Sequence, residues 1–112
     1  MIWLDIFSKD LSGDKTGLKT ELFVNEKPVP LNPFNQDYAG NILKGIVIAL
    51  GYSGKEFSLS LDSEELKILS DGEDVEIRKD FVRLIIENTI KGMVSSLKGV
   101  SSPEKITIKA VE

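Results

Sequence analysis

The chain alternates apolar and polar residues in several short stretches and spaces them helically in two longer ones. Across Ile2–Ser8, Ile2, Leu4 and Ile6 face one way and Trp3, Asp5 and Phe7 the other, which predicts a half-buried strand. The loop DLSGDKTG follows, punctuated by Gly13 and Gly17. Leu18, Thr20, Leu22 and Val24 then share one face against Lys19, Glu21 and Phe23, so the two stretches are expected to pair as a hairpin. Around Val29 and Leu31 the pattern predicts a short strand at a sheet edge, because Pro28 and Pro30 cannot donate ladder hydrogen bonds.

Asn32 is placed as a helix N-cap with Pro33 at the first helical position, and the helix is expected to end near Gly51. Phe57, Leu59 and Leu61 alternate with Ser58, Ser60 and Asp62, predicting another strand, and Leu66–Ser70 predicts the next. Asp71-Gly72 is a strong hairpin turn, since both residues tolerate positive φ, and Glu73–Ile77 is read as a short returning strand. A second helix is expected from Lys79 or Asp80 to Lys98, closing at Gly99, and Ile106, Ile108 and Ala110 alternate in a final strand.

The two helical stretches resemble each other. Phe34–Leu50 laid over Phe81–Leu97 without a gap matches Phe34 with Phe81, Asn41 with Asn88, Lys44 with Lys91, Gly45 with Gly92, Val47 with Val94 and Leu50 with Leu97. Self-similarity at a fixed offset implies two copies of one supersecondary unit. The units are placed at about residues 1–54 and 55–100, with a closing strand at 105–111, all in one domain spanning 1–112.

Each helix carries a wide apolar stripe: Tyr38, Ile42, Ile46 and Leu50 in the first, Val82, Ile86, Ile90, Met93 and Leu97 in the second. An antiparallel sheet with both helices on one face buries such stripes economically. The expected fold is therefore a two-layer α+β sandwich with a mostly antiparallel sheet. Setting aside the first strand and the two short ones leaves βαββαβ, the ferredoxin-like order.

Composition then removes chemistry. The 112 residues contain no Cys and no His, which excludes thiol nucleophiles, thiolate or imidazole metal sites and Ser-His-Asp triads. No cofactor is expected, and no P-loop or dinucleotide fingerprint occurs. Gly51-Tyr52-Ser53-Gly54 lacks the spacing of a nucleophile elbow. The net charge is −4, with Arg78 and Arg83 the only arginines. Nucleic acid is thus a poor partner, since phosphate binding needs clustered basic residues. The apolar run Ile42–Tyr52 is interrupted by Lys44 and too short to cross a membrane, and the start MIWLDIFSKD lacks a basic secretory leader. A cytoplasmic protein is expected.

Three constellations remain. Trp3, Phe7 and Phe23 are expected on the sheet face away from the helices, where an apolar patch would mark a partner surface. Gly45 and Gly92 sit mid-helix, which calls for close packing of helix on helix or sheet, or for a groove where a ligand meets bare backbone. Asn41 and Asn88, one turn earlier, are read as buried hydrogen-bonding struts or as part of that groove. Asp10, Ser12, Asp14 and Glu21 occupy ligand positions of a calcium-loop template, but Lys15 stands where that loop needs glycine. The acidic middle, from Asp62 to Glu76, reads as a solvated edge.

These features favour a small non-enzymatic interaction module that pairs as a homodimer, or with a protein partner, through the open sheet face or an edge strand. A small-molecule site at Asn41, Gly45, Asn88 and Gly92 is the alternative. A carboxylate-based metal-binding protein ranks below both.

Overall fold

The computed structural model describes residues 19–97, 100 and 103–112. The strand expected at Ile2–Ser8 and the DLSGDKTG loop lie outside these residues, as do Trp3, Phe7, Asp10, Ser12 and Asp14.

The described chain is α+β. In order it forms β1 (Lys19–Val24), β2 (Lys27–Val29), α1 (Pro33–Ala49), β3 (Glu56–Leu61), β4 (Leu66–Ser70), β5 (Glu73–Asp74), α2 (Asp80–Ser95) and β6 (Ile106–Val111). Two tight turns set the hairpins. Asn25 and Glu26 both take positive φ between β1 and β2, and Asp71 and Gly72 do so between β4 and β5, the backbone that matches the twist of two-residue hairpins. Asn32 caps α1 as the sequence predicts: its side chain accepts from the Asn35 N–H, with Pro33 inside the first turn.

The strands form one antiparallel sheet in the order β2-β1-β6-β3-β4-β5. That order reads the same from either edge if β1 is exchanged with β4, β2 with β5 and β3 with β6. β6 lies between β1 and β3 and joins the two halves. One rung across the middle holds the core: Leu22 faces Ile108, Ile108 faces Leu59, and Leu59 faces Ile68. All four are at most 2% exposed. Burying each such side chain contributes about 1.5–3 kcal/mol. Leu43 and Val47 of α1 and Ile86, Ile90 and Val94 of α2 cover this rung.

Three details depart from the sequence reading. The buried row of α1 is Ala39, Leu43 and Val47. Ile42, Ile46 and Leu50 flank it half-buried, and Tyr38 points outward. The cause is that α1 is apolar on both sides, so periodicity alone does not choose the inner face. Small Ala39 and Gly40 mark it, letting the helix backbone lie close to β1, β3 and β6. Next, α2 stops at Ser95. The Ser95 and Ser96 hydroxyls donate to the Lys91 and Gly92 carbonyls, and such side-chain bonds compete with helix continuation. Last, β5 is two residues long. Beyond it Val75 donates one N–H to Ile68 and is buried, without extending the ladder.

Candidate functional site on the outer helix face

A surface helix ordinarily turns a polar face to water. Here both helices also turn large apolar side chains outward. Phe34, Tyr38 and Ile48 of α1 and Phe81, Leu84 and Ile85 of α2 are each between 49% and 61% exposed. Helical spacing aligns Phe34, Tyr38, Asn41, Gly45 and Ile48 in one row, opposite the buried row of α1. Phe81, Ile85, Asn88, Gly92 and Ser95 form the equivalent row of α2. Phe34 and Tyr38 stack with ring centroids 5.6 Å apart and 16° between planes, which fixes them as one flat aromatic surface.

Of the two readings the sequence allows for the glycines and asparagines at this face, internal packing or a ligand groove, the first does not hold. A Cβ placed on Gly45 or Gly92 meets nothing within 4 Å. Asn41 and Asn88 are exposed, so neither is a buried strut. Glycine in a helix interior costs about 1 kcal/mol relative to alanine, and no contact among the described residues offsets it.

Between the amino-terminal half of α1 and the carboxy-terminal half of α2 runs an open groove of about 860 Å³. Phe34, Tyr38 and Ile42 form one wall, and Asn88, Gly92 and Met93 the other. Asn88 and Gly92 therefore meet at this groove as the ligand-site reading expects, whereas Asn41 and Gly45 do not line it. Among the described residues no carboxylate, lysine or arginine lines it, and those that do line it offer packing surface and neutral hydrogen-bonding groups.

The other candidate residues sit elsewhere. Phe23 lies on the sheet face away from the helices, half-buried, with the Lys109 ammonium 5.8 Å from its ring centre. That contact covers part of the ring with a cation. Around it the sheet face is mostly polar: Glu21, Ser58, Ser60, Lys67 and Thr107 share it. Glu21, from the calcium template, is exposed on β1. Among the described residues no group of three or more acidic side chains is placed to hold a metal ion. Two of the acidic residues in the middle of the chain work in turns. Asp62 accepts the Glu64 and Glu65 N–H groups, and Asp71 those of Lys55 and Glu56. These N–H groups hold both carboxyls below their ordinary range, led by Glu64 for Asp62 and by Lys55 for Asp71. The Glu87 carboxylate, 2.6 Å away, holds Arg83 firmly protonated.

Among the described residues no helix is long and apolar enough to cross a membrane. Comparison with protein-family models, curated proteins and solved structures finds no match to this chain.

The sequence pattern gives Ile48, Leu84 and Ile85 no role, and Phe34 and Phe81 only that of a matched pair in the repeat. The signal was present: the helices hold more large apolar residues than one buried stripe needs, and Phe34 recurs as Phe81.

Proposed function

We propose that this chain is a small non-enzymatic interaction module that meets a protein partner through the outer face of its helix layer. The observation that carries the reading is the set of six large apolar side chains lying half-exposed on that face, since a concentration of exposed apolar side chains marks contact sites. The sheet face and the strand edges are weaker candidates. Phe23 shares its face with lysines, serines and glutamates, and the edges are blunted by Pro28 in β2 and by the two acidic residues of β5. We also read the two halves as copies of one unit, supported by the sequence match of the helices and the symmetric strand order, with βαββαβ as its reduced chain order. A cytoplasmic setting, suggested by the cysteine-free composition, belongs to the same proposal.

A photoreactive phenylalanine derivative placed at Ile85, and separately at Leu69 on the sheet face, tests the contact surface in cells expressing the protein. Discrete adducts from position 85 and none from 69 are expected. Adducts from 69 alone would move the contact to the sheet.

A second reading rests on the groove, where Asn88 and Gly92 face Phe34 and Tyr38. Its occupant would be a neutral, largely apolar small molecule, detected as ligand-dependent thermal stabilisation that Gly92→Leu abolishes.

A further inference from the structure

We propose that the partner on the outer helix face is a second copy of this chain, packed helix on helix and antiparallel to form a four-layer β-α-α-β dimer. The inference rests on the interaction reading above and names its occupant.

Size is the first argument. Six large side chains exposed to about half their extent offer roughly 600 Å² per protomer, and the asparagines, glycines and helix flanks between them add to this. Stable pairs bury roughly 800 Å² per partner. The face is therefore of the size a dimer requires and larger than isolated surface residues need.

Shape is the second. Along α2 the outer row runs from bulky to small, and along α1 it does so from Phe34 to Gly45 before closing on Ile48. About Asn41, Tyr38 lies three residues before and Gly45 four after, while Phe34 lies seven before and Ile48 seven after. About Asn88, the same offsets hold Ile85, Gly92, Phe81 and Ser95. Two such rows laid antiparallel set Tyr38 or Ile85 of one copy over a glycine of the other. The asparagines meet near the crossing, where their amides can donate and accept in turn. A surface that fits itself when turned over is what an isologous two-fold contact requires. This also gives the two glycines a reason that the single chain does not supply, since open space lies where their side chains would be.

Charge is the third. The two outer rows contain no Asp, Glu, Lys or Arg. Two copies with a net charge of −4 can thus meet along these rows without placing like charges in contact, with Asp37, Asp80 and Lys91 at their flanks.

The test is the solution mass of the whole chain by light scattering on a sizing column. Wild type is expected at twice the 12.4 kDa chain mass. Ile85→Asp and Gly45→Leu/Gly92→Leu, all at exposed positions, are expected to raise the dimer dissociation constant roughly 30-fold or more, with Leu69→Asp as an unaffected control. Because the chain has no cysteine, Asn41→Cys/Asn88→Cys gives a readout that does not depend on weakening the fold. On mild oxidation it is expected to form a disulfide-linked dimer, whether α1 meets α1 or α2 of the other copy. A monomeric wild type at hundreds of micromolar, or a dimer split by Leu69→Asp and untouched by the helix variants, overturns the second-copy inference. Crosslinking at Ile85 decides the broader interaction reading separately.

Discussion

Asn25 and Asp71 make the same contact at opposite ends of the sheet. The Asn25 side-chain oxygen accepts the N–H groups of Glu104 and Lys105 at 2.8 and 3.0 Å, and the Asp71 oxygen accepts those of Lys55 and Glu56, both at 2.9 Å. Each also donates its own backbone N–H, Asn25 to Lys105 and Asp71 to Glu56, at 2.8 Å. Each hairpin turn thereby clamps the entry of a central strand, β6 in one case and β3 in the other.

Asn25→Ala removes that clamp and places alanine at φ 53°, a region asparagine tolerates better. The expected loss is about 1–2 kcal/mol of unfolding free energy, read as a lower urea midpoint at unchanged slope. Asn25→Gly keeps the backbone freedom and separates the two contributions.

Acid tests Asp71. Its carboxyl is held below the ordinary value by the Lys55 and Glu56 N–H groups, so the folded state binds its proton less readily than the unfolded chain does. The stabilisation is therefore complete above the unfolded value, near 4, and fades as pH falls through the lower folded one. Urea midpoints at pH 6 and pH 3 are expected to fall further for wild type than for Asp71→Asn, which keeps the acceptor without the charge. Asp62, lowered by Glu64 and Glu65, adds to the wild-type slope in the same direction.

Gly54 lies against the Asp71 clamp. A Cβ there would sit 2.6 Å from an Asp71 carboxylate oxygen and 2.7 Å from the Ser70 hydroxyl. The Asp71 carboxylate is anchored by two backbone bonds and cannot simply swing away. Gly54→Ala is expected to destabilise by about 1–3 kcal/mol, as overpacking does, measured by thermal unfolding.

The helix glycines predict the opposite sign. Gly45→Ala and Gly92→Ala meet open space and are each expected to stabilise the folded chain by up to about 1 kcal/mol through helix propensity. Leu59→Ala, at 0% exposure in the central rung, is expected to cost about 2–5 kcal/mol. Chemical denaturation of the three variants checks both directions.

Much of the fold was legible in the residues. Alternation of Leu22 and Val24, of Phe57, Leu59 and Leu61, and of Ile106 and Ile108 placed the long strands, because a sheet with one buried face imposes period two. Asn32-Pro33 and Asp71-Gly72 placed a helix start and a turn through local backbone chemistry. Strand order was not legible, since nothing in β6 alone states that it pairs with both β1 and β3. Nor was the inner face of α1. Tyr38 and Leu43 are both apolar, and only the sheet distinguishes them. The candidate site is half-legible for the same reason: Asn88 and Gly92 stand out by recurring, whereas Phe81 and Ile85 lie outside the stripe the spacing predicts and the pattern gives them no role in a site.

β6 follows every other described strand in the chain and yet sits between β1 and β3. Until it is in place these two strands share no hydrogen bonds, and each half of the sheet ends in an unpaired ladder. During synthesis the strand that joins them emerges after both. The early hairpins must therefore wait for a distant segment, a topology that slows folding. Their open ladders are also templates for wrong pairing during that wait. A chain cut before Ile106 is left with two sticky half-sheets rather than a smaller version of the fold.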